Sequence, residues 1–111
     1  MQIDRTNFKG EEKKLKRYPR EQQTLEKVLT HIKQCQSYQE LCQNPISWMY
    51  GFEYLKHRMN GYCSFHLSKN GGVIRLICSI DEVNNRVTLE FISMDHYQDF
   101  NRTKRKEKVG K

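Results

Sequence analysis

Two imidazoles and one guanidinium carry the chemistry that this sequence offers. His66 falls in an alternating stretch, residues 62–68, where Cys63, Phe65 and Leu67 point to one side and Tyr62, Ser64, His66 and Ser68 to the other. Arg75 interrupts residues 73–80, which are otherwise almost continuously apolar, as in a central strand covered on both faces. His96 follows a third alternating run, residues 86–93. Histidine, with an unperturbed pKa of about 6.5, can take or give a proton at neutral pH. An arginine within an apolar strand needs a counter-charge or an opening to solvent, because burying it unpaired costs several kcal/mol. If the three runs form a meander, one face buries the apolar side chains and the other holds His66, Arg75 and His96 in reach of one another.

The elements that must position these residues are readable in order. Ile3, between polar neighbours in residues 1–6, fits an edge strand. Asn7 is a good N-cap for a first helix reaching about Arg17, with Phe8, Leu15 and Tyr18 roughly on one face. Pro19 ends that helix and suits the first position of the next, with Glu21 well placed in its first turn. Leu25, Val28, Leu29 and Ile32, continued by Cys35, form the clearest amphipathic stripe in the chain, to be laid across a sheet; His31 beside it reads as a satisfied or solvated histidine. Residues 37–40, SYQE, resemble a capping box opening a short helical turn that Asn44-Pro45 stops. In the aromatic stretch that follows, Trp48, Tyr50, Phe52 and Tyr54 can stack on bases, but packing across the sheet edge is the favoured reading. Asn60-Gly61 turns the chain into the first meander strand, residues 69–72 (KNGG) form a loop, and Asn84-Asn85 leads into the third strand, where Val87, Leu89 and Phe91 alternate with Thr88 and Glu90. Asp95 caps a last turn carrying His96, Tyr97 and Phe100. The expected fold is α+β: a small antiparallel sheet made of the meander plus an N-terminal edge strand, two N-terminal helices on one face and a short C-terminal helix.

Composition narrows the partner. At 111 residues one domain is expected, over residues 1–101, with a basic tail from 102 to 111 too poor in apolar residues to order itself. That tail holds six Lys or Arg against Glu107, which accounts for five of the seven net positive charges. Between Pro45 and Ile80 the only acid is Glu53, against Lys56, Arg58, Lys69 and Arg75, and a basic surface on a structured region suits a polyanion. No run approaches the roughly 20 apolar residues of a membrane span, and no signal-peptide segment opens the chain, so the expected location is cytoplasmic, with no membrane partner. Cys35, Cys42, Cys63 and Cys78 lack CxxC spacing and fall at apolar-patterned positions, as reduced core thiols do, so no metal is expected.

Three pieces of this chain, in this order, resemble the RelE/ParE superfamily of toxins from bacterial type II toxin-antitoxin pairs. LKHRMNGYCSFHL (55–67) is similar to the family's Leu-x-Gly approach to the first meander strand. GGVIRLICSID (71–81) is similar to its Arg-Leu-Ile-Tyr strand followed by Asp. SMDHYQDF (93–100) is similar to the His-x-x-x-Phe ending of YafQ-like members and the His-Tyr ending of YoeB-like members. The resemblance implies a ribosome-dependent mRNA endoribonuclease, an mRNA interferase, whose partners are mRNA, the ribosome with its rRNA, and a cognate antitoxin protein. It implies no cofactor: side chains take the proton of an RNA 2′-hydroxyl, protonate the 5′-oxygen and stabilise the phosphorane.

Carried over residue by residue, the resemblance makes His96 the leading acid-base residue, His66 its partner base and Arg75 the phosphate-stabilising cation. Tyr97 or Phe100 becomes the aromatic that positions the nucleotide, and Lys56 and Arg58 hold flanking phosphates. Two departures matter. Ser64 stands where RelE has a strand lysine and His57 replaces the usual Gly, so the chemistry is closer to the histidine-based members. A non-enzymatic ParE-type poison of DNA gyrase and a small nucleic-acid-binding module are the competing readings.

Overall fold

The computed structural model describes residues 1–55, 61–69 and 72–94. Their architecture is α+β, a five-stranded mixed sheet with helices laid across one face. The strands are β1 (Gln2–Asp4), β2 (Glu53–Tyr54), β3 (Tyr62–His66), β4 (Arg75–Asp81) and β5 (Arg86–Ser93), in the spatial order β1-β5-β4-β3-β2. The expected meander is β3-β4-β5. The expected edge strand is β1, which joins β5 in parallel through Ile3 opposite Val87, so the sheet is mixed; all other pairings are antiparallel. The two-residue β2 at the far edge lies within the aromatic stretch and pairs Glu53 with Ser64.

Helix α1 (Lys9–Glu12) continues as a 3-10 turn over Lys13–Leu15, shorter than the sequence suggested. Asn7 does not cap it. Phe8 occupies that position with no side-chain cap because its ring is wholly buried in the core. Helix α2 (Pro19–Gln34) begins on Pro19 as expected and buries Leu25, Val28, Leu29, His31 and Ile32. Ser37 accepts from the Glu40 amide at 3.2 Å at the start of α3 (Tyr38–Gln43), while the Glu40 carboxylate reaches back to the Gln36 amide, one residue beyond a strict capping box. Asn44 both ends α3 and, accepting from Ile46 N at 2.9 Å, starts α4 (Pro45–Met49).

One apolar core fills the space between α2 and the sheet, with Phe8, Leu15, Ile32 and Leu41 packed on Cys63, Phe65, Leu76, Cys78, Leu89 and Ile92. A second, small cluster of Leu55 and Ile77, flanked by Tyr62 and Phe91, lies on the opposite face. Phe91 belongs there and not with Val87 and Leu89, contrary to the alternation read from sequence. A bulge in β5 opposite Ile77 and Cys78 adds one residue, Glu90, and shifts the parity, so that Ile92 turns into the core and Phe91 away from it.

Past the three-residue β1, β5 is an edge. There the helical side supplies its partners: the Ile92 amide donates to Glu11 Oε1 at 2.9 Å and its carbonyl accepts from Lys14 Nζ at 3.0 Å, while Glu11 and Lys14 are themselves paired at 2.8 Å. No helix among the described residues is long and apolar enough to cross a membrane.

Candidate active site

His66 and Arg75 are direct cross-strand partners. His66 is the last residue of β3, Arg75 the first of β4, and they stand opposite one another in register. Alternation directs both away from the core that holds their neighbours Phe65 and Leu76, and His66, at the edge of the sheet past β2, also borders a groove that α2 lines through Thr24 and Lys27. Side chains so placed start about 5 Å apart at Cβ. On its other side Arg75 faces Ser93, the final residue of β5. Three strand ends thus meet at Arg75, and the chain leaves β5 at this point.

The counter-charge that an arginine in this strand requires is Glu53. Its carboxylate lies 3.9 Å from Arg75, with the arginine side chain 13% exposed and the glutamate 59%. The pairing follows from β2, whose Glu53 sits opposite Ser64 two positions from His66 on the same face. Glu53 as the only acid of its stretch was the available signal, but the two-residue strand that brings it across the sheet had none. Ser64 is fully buried, and among the described residues its hydroxyl has no hydrogen-bond partner.

The imidazole of His66 rests on Gly51. A Cβ at position 51 would come within 2.6 Å of His66 Cδ2, and Gly51 has φ +66 where it ends α4, a left-handed position that favours glycine. The His66 amide donates to Tyr50 O at 2.8 Å and Phe52 N to Ser47 O at 2.9 Å, so this turn is tied to both the strand and the helix. Beside the ring opens a groove of about 560 Å³, lined by Lys27, Trp48, Met49, Tyr50, Ser68 and Lys69 among others. The aromatic stretch therefore divides: Phe52 packs on Phe65 at 5.1 Å between ring centroids, but Trp48 is 68% exposed, not packed across the sheet edge as favoured from sequence.

His31 is a satisfied core histidine. It is 5% exposed and hydrogen-bonded through Nε2 to the buried Ser47 Oγ at 2.6 Å, and burial pushes its pKa below the ordinary value, the nearby Glu40 charge opposing this weakly. The cysteines are free thiols, three of them buried. Cys63 and Cys78 are cross-strand neighbours in the core, and burial, followed by their mutual hydrogen bond, raises the Cys78 thiol far from reactivity. No group of three or more His, Cys, Asp or Glu among the described residues could hold a metal ion.

Of the residues singled out in the sequence, the fold brings together His66 and Arg75. Lys56, Arg58, His96, Tyr97 and Phe100 lie outside the described residues, as do the residues of the expected closing helix and of the basic tail. Gly51, Lys27 and the groove beside His66 were not picked out from sequence, and Glu53 was noted there only as the lone acid of its stretch. Compared with family models, curated proteins and solved structures, the chain matches none.

Proposed function

We propose that this chain is a toxin of the RelE/ParE superfamily, an endoribonuclease that cleaves ribosome-bound mRNA in the cytoplasm and is held inactive by a cognate antitoxin. The observation that carries the reading is the juxtaposition of His66 and Arg75 at the meeting point of three strand ends. A general base and a fixed cation side by side are what attack of a 2′-hydroxyl on the adjacent phosphate demands. His66 takes the hydroxyl proton as the oxygen attacks phosphorus, and the Arg75 guanidinium balances the charge that builds on the non-bridging oxygens. The P–O5′ bond then breaks, leaving a 2′,3′-cyclic phosphate, and the leaving oxygen takes a proton from His96. That residue lies three positions beyond Ser93 in the sequence, outside the described residues.

Glu53 keeps Arg75 aligned before substrate arrives, and being largely exposed it can yield to a phosphate. Induced expression of the wild type and of His66→Ala, Arg75→Ala and His96→Ala, with growth and mRNA 5′-ends on ribosomes recorded, tests the proposal. Arrest with new 5′-ends from the wild type alone is expected. Arrest by all four proteins without new ends would instead mark a gyrase-type poison.

A further inference from the structure

Resting on the reading of RNA as substrate, we propose that the groove beside His66 is a nucleotide subsite, in which a base of single-stranded RNA stacks on Trp48 while Lys27 and Lys69 hold the phosphates flanking it. Trp48 is the only tryptophan in the chain and is 68% exposed. It is not a loose surface ring, because its indole Nε1 donates to the Cys42 carbonyl at 2.8 Å, which restrains the ring while most of it stays exposed. An exposed aromatic held in place presents a stacking surface at little ordering cost, and every base has a face to match it. Met49, next to it on α4 and 70% exposed, widens the apolar wall.

The same groove also has cationic lining. Lys27 on α2 and Lys69 after β3 are both exposed and both line the groove, and His66 lies at its border. An adjoining hollow of about 470 Å³ shares Lys27 and Lys69 and adds Arg20, against the single acid Glu21. An exposed aromatic and several cations lining one groove are complementary to a nucleic-acid strand, which carries a flat base and an anionic link at each step. An apolar protein segment would leave the lysines without partners. Because the groove borders His66, a nucleotide held there sets which phosphate reaches the His66–Arg75 pair, so Trp48, Lys27 and Lys69 are positioning residues and not catalytic ones.

The sole tryptophan reports its own occupancy. Titrating the full-length protein with a single-stranded RNA hexamer should quench Trp48 emission saturably. Raising salt from 50 to 200 mM should weaken binding by roughly sevenfold, as two phosphate contacts on a single strand predict. A hexamer of the same length with abasic sugars should quench at least about fivefold less effectively. Lys27→Glu and Lys69→Glu, both surface changes, should weaken RNA binding without altering the circular dichroism spectrum. Trp48→Ala should shift or blur the cleavage position on ribosome-bound mRNA while His66→Ala abolishes cleavage.

Equal quenching by abasic and intact RNA would overturn the stacking proposal, and so would a blue shift with protein concentration alone, which would mark the face as a self-association surface. Unchanged cleavage positions in Trp48→Ala beside intact His66-dependent cleavage would overturn the subsite and leave the nuclease standing. Base-dependent quenching by a wild type that cleaves nothing would leave the subsite and end the nuclease.

Discussion

Gly51 decides where the His66 imidazole sits. A methyl at position 51 would have to occupy space 2.6 Å from the ring and would sit on a backbone with φ +66, which costs about 1–2 kcal/mol for a residue with a Cβ. Gly51→Ala is therefore expected to remain folded while its single-turnover cleavage of mRNA falls at least tenfold, since displacing a reacting group by about 1 Å can cost 100-fold. Wild-type cleavage by that variant would show that the ring position is immaterial. His31 makes the opposite kind of statement, about stability. Its folded pKa is depressed by burial, so the unfolded chain binds the extra proton first as pH falls, and stability that is fully present above the unfolded value of about 6.5 drains away below it. Urea midpoints should therefore fall between pH 7.5 and pH 5.5 in the wild type and fall less in His31→Gln; parallel slopes would remove His31 as the cause. Asp4 and Asp81, whose pKa values are lowered by hydrogen bonds from Thr6 and Asn84, act only in a separate window, below the usual 3.8. His66 and Arg75 were legible in the sequence because an ionisable residue breaks an apolar pattern; Gly51 and Glu53 were not, because what matters about each is a neighbour distant in the chain.

At the scale of elements, β5 shows what a pattern can and cannot convey. Val87 and Leu89 obey the two-residue period, and that much of the strand is read correctly from sequence. Beyond them the bulge at Glu90 reverses the faces, and a bulge leaves no mark in an alternating run when the two residues after it are both apolar, as Phe91 and Ile92 are. The helices were legible where an amphipathic stripe or proline marked them, as in α2, and misjudged where burial overrode local propensity, as at Phe8. The clamp of Glu11 and Lys14 on Ile92 is the most testable of these arrangements. Glu11→Ala removes the acceptor of a strand-edge amide at a cost of about 1 kcal/mol. Amide exchange should accelerate most at Ile92, with smaller effects at Val87 and Leu89. Uniform acceleration over the sheet would mean the clamp acts only through global stability.

At the scale of the molecule, charge and site are divided between segments. Residues 102–111 supply five of the seven net charges, leaving about two for the rest, so on the proposed reading long-range attraction to RNA would come from the tail and local phosphate contacts from the cations around His66. Deleting 102–111 is expected to slow association with ribosomes severalfold at low salt and to leave the cleavage rate of the bound complex unchanged; stopped-flow binding beside single-turnover cleavage separates the two. The β3-β4-β5 meander, α2 and the N-terminal edge strand were legible in the order of strand and helix signals; β2 was not, and neither was the parallel pairing of β1, because a two-residue strand leaves no pattern and pairing direction depends on how many strands intervene before the edge is reached. The central claim, that His66 and Arg75 act together on one phosphate, is tested most directly by single-turnover cleavage of mRNA on programmed ribosomes by purified wild type, His66→Ala, Arg75→Ala and the double variant. The expected result is a product ending in a 2′,3′-cyclic phosphate, a loss of about 100-fold or more in each single variant, and a double variant little worse than either. Wild-type rates in both single variants, or no cleavage by the wild type at all, would contradict it.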